Sequence, residues 1–292
     1  MRRKSIRGLS IHSDTRKCFR YPLLKRFGIA PNAYYNYLKN RKADYYEKKE
    51  KIQNKISDIY HKTGGVAGYQ TIRAYLVREN ISLSLQTTHK YMNTELKLFS
   101  ISRRKKPNYE KGKAHKVFEN KLKQDFTADE INQKWCTDFT YLFLDDGRKR
   151  YNCSIIDLHD RSVIASTTDK HITSDLARRT LQKALDSQPG IDTSRLILHS
   201  DQGSQYTSKE FTEFCEHVGV TQSMSKAGCP YDNAPMERYF NTLKNELIYQ
   251  HHYHSDSDLY SSIEEFAYVQ YNHIRPHSYN NYKTPFEARF GK

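Results

Sequence analysis

Apolar positions in the first hundred residues recur with helical spacing. Leu23, Leu24 and Phe27 form a short apolar face, Gly28 interrupts it, and Pro31-Asn32 opens a second helix carrying Tyr34, Tyr35 and Leu38. Between 44 and 61, Ile52, Ile56 and Ile59 repeat among many lysines, an amphipathic helix with a cationic outer face. Gly64-Gly65 breaks the pattern. A helix–turn–helix follows, its first helix running from about Tyr69 to Asn80 and burying Ile72, Tyr75 and Leu76. Its second helix begins near Ser84, carries Thr87, Thr88, His89 and Lys90, and has Tyr91 and Met92 behind.

From 133 the period changes to that of strands. Lys134 to Leu144 is a strand, Asp145-Asp146-Gly147 a hairpin turn, Arg150 to Leu158 a second strand and Ser162 to Thr168 a third. A helix over 174–187 is capped by Thr173 or Ser174 and carries Leu176, Ala177, Leu181 and Leu185. Arg195 to His199 reads as a short buried strand, then come helix 208–218, ended by Gly219, and strand 220–224. A long helix from 233 to about 250 and a last one over roughly 258–274, stopped at Pro276, complete the chain. Three antiparallel strands, then parallel strands with flanking helices, make a mixed α/β sheet in the strand order of ribonuclease-H-like folds, preceded by an all-α helix–turn–helix region.

The two patterns meet at R-R-K-K-P (Arg103, Arg104, Lys105, Lys106, Pro107), continued by Lys111, Lys113 and Lys116. Such a run serves equally as a solvated tether and as a neutraliser of phosphates. The divisions are therefore 1–62, a basic helical region; 63–102, the helix–turn–helix; 103–130, the basic linker; 131–250, the sheet domain; and 251–292, the C-terminal helix and tail. At 292 residues the chain exceeds one ordinary core, and its 23 tyrosines and 13 phenylalanines supply apolar surface that a hydrophobic fraction of only 37% understates. A formal net charge of +15 points to a polyanionic partner. Five cysteines without a C-x-x-C pair suit a reducing compartment rather than a disulfide framework or a zinc knuckle. No signal peptide and no run of about 18 apolar residues is present, so a cytosolic location is expected, with no membrane.

Three carboxylates stand in distinctive local settings. Asp138 lies in W-C-T-D-F-T-Y, mid-way along the first strand; Asp201 lies in H-S-D-Q-G-S-Q-Y, at the carboxyl end of the fourth, where ligands collect in α/β sheets. Glu237 lies in D-N-A-P-M-E-R-Y-F-N-T-L-K, in the first turn of a helix announced by Asp232, Asn233 and Pro235. Met236, Phe240, Leu243 and Leu247 form that helix's apolar stripe, and Glu237, Asn241 and Lys244 share the adjacent polar face. Lys244 stands ~10 Å beyond Glu237 along the axis, at reach for a substrate phosphate. Carboxylates on neighbouring strands and a helix suit two divalent ions about 3.5–4 Å apart, the arrangement of phosphoryl-transfer sites. All-oxygen ligation selects Mg²⁺ or Mn²⁺ over Zn²⁺. Taken singly, each acid reads as solvated or capping; Asn233 also serves as a helix cap, and Arg275 and His277 as a clamp for the last helix.

Together the motifs resemble those of the Asp–Asp–Glu transposases and retroviral integrases, and most closely the insertion-sequence-three family's second-reading-frame product. Y-N-x-x-R-P-H at 271–277, T-P-x-E at 284–287 and G-Y-Q-T-I-R-A-Y-L at 68–76, similar to that family's internal helix–turn–helix, extend the likeness over roughly 20–292. Complete members carry a further upstream helix–turn–helix and coiled coil; here only a short basic lead precedes residue 20. The resemblance implies metal-dependent cleavage at the 3′ ends of an insertion sequence and attack of the freed 3′-OH on target DNA, without a covalent protein intermediate. It implies Asp138, Asp201 and Glu237 as ligands of two Mg²⁺ or Mn²⁺ ions. It also implies double-stranded DNA as partner (terminal inverted repeats and target), at least a homodimer to join two ends, and action at the bacterial nucleoid in the cytoplasm. DNA contacts are expected from Lys244, Asn233, Asn241, Gln205, Tyr206, Arg275, Arg103, Arg104, Lys105, Lys106 and Lys90. Two rivals remain on the same fold: a non-catalytic DNA-binding regulator and a hydrolytic nuclease. A covalent tyrosine route lacks an arginine–histidine constellation around any one tyrosine.

Overall fold

The computed structural model describes residues 24–28, 30–39, 42–101 and 116–291. The chain divides into two compact units, Met1–Asp58 and Ile59–Lys292. In the first, helix α1 (Pro31–Leu38) starts on a proline, whose missing N–H costs nothing at that position. Helix α2 (Ala43–Lys62) runs across the division, and an exposed Glu47–Lys51 pair one turn apart decorates its surface.

The second unit holds both the helix–turn–helix and the sheet. Helix α3 (Tyr69–Arg78) buries Ile72, Ala74 and Leu76. Asn80, at φ 60, turns the chain back, a left-handed conformation that asparagine tolerates. Helix α4 (Leu85–His89) is capped by Ser84, whose hydroxyl accepts the Thr87 N–H at 3.1 Å. It widens into π-type turns over Lys90–Glu95, burying Tyr91 and Met92. Thr88 faces inward, its hydroxyl donating to Ser84 O at 3.0 Å. The pair is docked on the C-terminal segment: Arg78 donates to Glu287 at 2.8 Å and to Tyr282 O at 3.2 Å.

Strands β1 (Lys134–Phe143), β2 (Lys149–Asp157), β3 (Val163–Asp169), β4 (Ile197–Ser200) and β5 (Thr221–Met224) form one sheet in the order β3-β2-β1-β4-β5. The first three pair antiparallel; β4 runs parallel to β1, and β5 to β4. The turn between β1 and β2 closes on Gly147 at φ 83, where a side chain would be strained. Helices α5 (Ser174–Asp186), α6 (Ser204–Thr207) and α7 (Lys209–His217) cover one face, with Trp135, Ile155, Leu181, Leu198 and Phe211 in the core. Helix α8 (Ala234–Glu246) and α9 (Asp256–Glu265, continuing in π-type turns over Phe266–Ile274) cover the other, burying Cys136, Ile156, Met236, Phe240, Leu243 and Tyr271. Trp135 and Cys136, adjacent in β1, therefore enter opposite cores, and so do Ile155 and Ile156 in β2. Burial on both faces explains why these strands lack a clean polar alternation. The fourth strand starts two residues later than its apolar run suggests, because Asp192 accepts the Ser194 N–H at 3.1 Å and folds Thr193–Arg195 into a tight turn.

Helix α10 (Pro285–Phe290) begins with a reciprocal capping box between Thr284 and Glu287. It delivers Arg289 into a buried polar cluster at the far end of β2. Its guanidinium donates to Asp157 at 3.0 Å, Asp160 at 2.6 Å, Asn132 at 2.9 Å and Gln188 at 2.6 Å. Asp157 is thus a structural anchor for the C-terminal helix. Among the described residues no helix is long and apolar enough to cross a membrane.

Candidate active site

The parallel register of β1 and β4 sets Trp135 beside Leu198 and Cys136 beside His199. Carried two residues onward, the same register brings Asp138 level with Asp201, just past the end of β4. Asp138 is half-buried and Asp201 lies at the exposed rim. Asp138 Oδ1 accepts the Phe139 N–H at 2.7 Å, and Asp201 Oδ1 accepts the Gly203 N–H at 2.9 Å. Gly203 leaves no room for anything larger: a Cβ there would lie 2.9 Å from Asp201 Oδ1 and 3.0 Å from Gln205 Oε1.

The carboxylates share one electrostatic field. The Asp138 carboxyl is held well above the usual carboxylate range by burial first, then by the negative charges of Asp201 and Glu237, with Lys244 opposing. Loss of water also raises Asp201 and Glu237. The Lys244 ammonium, half-buried, is lowered by the same desolvation while Asp138 pulls it back up. Gathered acids that cling to protons are stabilised by a cation, and an all-carboxylate donor set suits a hard divalent ion. Among the described residues no three His, Cys, Asp or Glu side chains stand at chelating range. The site is an open pair, Asp138 and Asp201, with Glu237 beside it.

Glu237 is aimed by the start of α8. Asn233 there makes no helix cap; its amide donates to Thr137 O at 3.1 Å, tying the helix to the residue before Asp138. Thr137 in turn donates to Ser154 O at 3.0 Å and shares a 3.0 Å hydrogen bond with the Tyr206 hydroxyl. Behind Asp201, His199 bridges Ser223 at 2.9 Å and Ser225 at 3.1 Å, and burial pushes its pKa down to about 4. It is a neutral cross-tie between β4 and β5 and stands away from ligand duty.

Two stretches, residues 128–230 and 218–285, match family models described as integrase core domain. Over 259 residues the chain is 32% identical to the putative transposase InsK for insertion sequence element IS150 of Escherichia coli, covering 87% of this chain and 88% of that protein. The chain belongs to the IS3 family of insertion-sequence transposases. It is also 32% identical over 240 residues to the transposase for insertion sequence element IS904 of Lactococcus lactis, covering 81% of this chain and 92% of that one. To transposase InsF for insertion sequence IS3A of Escherichia coli it is 37% identical over 163 residues, 56% of either chain.

Several residues expected to contact DNA have other work in this transposase. Tyr206 is 1% exposed, its ring packed on Phe139 and Phe211, so it supports Thr137 from inside the core. Asn233 is buried, with its amide committed to the β1 backbone. Arg275 closes on Glu246 through Nε at 2.8 Å and Nη2 at 2.9 Å, the clamp reading of that residue. Asn241 and Lys90 are exposed and Gln205 and Lys244 half-buried, so these four present polar surface. Arg103, Arg104, Lys105 and Lys106 lie outside the described residues.

One organising residue escaped the sequence reading as anything more than a helix-start signal. Both Asp232 oxygens are taken, by Asn120 at 2.9 Å, Gln124 at 2.8 Å and the Lys226 N–H at 2.9 Å. It ties the chain before β1 to the segment between β5 and α8. Its place in D-N-A-P was visible, but its side-chain partners Asn120 and Gln124 lie more than a hundred positions upstream, beyond any local pattern.

Proposed function

We propose that this transposase cleaves the 3′ ends of its insertion sequence and joins them to target DNA by in-line phosphoryl transfer at Asp138, Asp201 and Glu237. The observation that carries this is the alignment of Asp138 with Asp201 on parallel neighbours, with Glu237 in the same field and all three carboxyls raised. The residues fit two divalent ions, Mg²⁺ or Mn²⁺, which when bound supply an activated oxygen nucleophile and charge neutralisation on the leaving oxygen. Asp138, within β1, and Asp201, just past the end of β4, would hold the ions, and Glu237 would complete their ligation from the first turn of α8. Lys244, beside Asp138, takes a substrate phosphate; Asn241 and Gln205 border the strand, and Lys90 contacts DNA from the helix–turn–helix. The partners are double-stranded DNA, as terminal inverted repeats and target, and a second protomer, since two ends are joined. Its place of work is chromosomal DNA in the bacterial cytoplasm.

The test is strand transfer of a pre-cleaved end duplex in Mg²⁺, with chelator as control. Asp201→Asn and Glu237→Gln should each abolish joining while leaving DNA binding in place; undiminished joining in either rules out the assigned site. Nicked but unjoined products would support a hydrolytic nuclease, and binding without any cleavage a regulator.

A further inference from the structure

A cleft of about 630 Å³ opens beside the carboxylates. One wall is the chain before β1, with Phe118 and Lys123; the other is the end of β5 and the segment after it, with Met224, Lys226 and Cys229. Gln202, which follows Asp201, and Asp232, five residues before Glu237, also line it, so the cleft is bounded by two of the segments that carry the proposed site.

The lining has a definite chemistry. Met224 is 1% exposed and Phe118 half-buried, giving an apolar floor. Lys123 and Lys226 stand at the rim, and among the described residues neither is matched with an acid. Two acids also line the cleft. The Asp232 carboxylate is held ionised by the three N–H donors it accepts, but it is buried against the walls, so at the exposed rim Glu119 stands against the two lysines. Lys123 and Gln124 are consecutive left-handed residues, at φ 48 and 66. The Lys123 N–H is held on Asn120 Oδ1 at 2.8 Å and the Gln124 amide on Asp232, so this strained rim is built in place by the walls.

Such a volume lies in the range of small-molecule pockets and is far too narrow for a duplex. An apolar floor under a cationic rim suits one nucleotide, with its base on the floor and its phosphate between the lysines. We infer that the cleft receives a single unstacked nucleotide of the strand that crosses Asp138 and Asp201, within a few positions of the scissile phosphate. This rests on reading those carboxylates as a DNA phosphoryl-transfer centre. Drawing one nucleotide out of the stack would fix the register of the DNA end against the carboxylates, as enzymes that extrude bases do with theirs.

Cys229, the exposed free thiol of the lining, provides the probe. End duplexes, each carrying a disulfide-tethered base at one position near the scissile phosphate, are mixed with the full chain bearing Cys18→Ser, without divalent metal. Thiol–disulfide exchange then joins Cys229 to the tether and releases the small thiol. An adduct at one position near the scissile phosphate, absent at its neighbours and lost in Cys229→Ser, is expected. Lys123→Ala or Lys226→Ala should lower the log–log salt slope of end-duplex binding by about one. No adduct, or equal adducts at every position, overturns the cleft's role. Because the adduct needs no turnover, the two readings separate: a position-specific adduct on protein that cannot join ends in Mg²⁺ sinks the catalytic reading alone, whereas joining without such an adduct sinks the cleft alone.

Discussion

Replacing Gly203 with alanine tests the site by half an ångström. The added Cβ would sit 2.9 Å from Asp201 Oδ1 and 3.0 Å from Gln205 Oε1, where ordinary contact begins at 3.4 Å. Gln205 can swing its flexible end away. Asp201 cannot yield as freely, because the same Oδ1 accepts the Gly203 N–H at 2.9 Å. Its carboxylate must therefore shift by about 0.5 Å, more than the ~0.2 Å tolerance of metal–ligand distances. A misplacement of about 1 Å costs roughly 10²-fold in rate, so Gly203→Ala should lower joining between about 10- and 100-fold. The fold should not suffer. Gly203 sits at φ −58 and ψ 145, which alanine adopts freely, and the substitution removes unfolded-state freedom worth about 0.4–1 kcal/mol. The assay is strand transfer of a pre-cleaved end as a function of Mg²⁺, alongside a thermal melt. Reduced joining that partly recovers at high Mg²⁺, with an unchanged or higher Tm, is the expected pair. Joining within threefold of wild type on an intact fold would refute the steric argument.

Arg289→Ala strands two fully buried carboxylates, Asp157 and Asp160, and should destabilise the second unit by about 3–5 kcal/mol in urea unfolding. Burial and Asp160 already raise the folded pKa of Asp157, so its folding contribution is best when protonated and is lost as pH rises through that pKa; the deficit of the variant should shrink toward acid pH. Lys244→Ala should weaken end binding and lower its salt slope by about one, with metal binding retained; unchanged DNA affinity rejects the phosphate role. Arg78→Glu should loosen the helix–turn–helix from the C-terminal helix, read as faster hydrogen exchange in α3. Being part-exposed, the pair with Glu287 should cost no more than about 1 kcal/mol, and Arg78→Lys, which keeps the charge, should retain most of the protection.

Much of this was legible along the chain. Helices and strands announce themselves through period, cap and turn, which are local: Thr173, Ser84 and Gly147 each act within a few residues of themselves. The three carboxylates were legible too, because each stands in a local motif at a strand centre, a strand end or a helix start. What the sequence by itself determined was thus most of the elements, their order and three candidate acids; α6 and α10 are too short for a period to announce them. Only the tertiary structure decided which polar neighbours of those acids stay at the surface. Tyr206 and Asn233 lie in the same motifs as Asp201 and Glu237, and Arg275 in Y-N-x-x-R-P-H, yet strand register and helix packing turn them inward onto Thr137, the β1 backbone and Glu246. The same packing made Asp232 and Arg289 into hubs whose side-chain partners are a hundred or more positions away. Local periodicity records which side of an element is wet. It carries no information on what a buried amide or guanidinium will meet there, because that is settled by the geometry of elements that approach only once the sheet has closed.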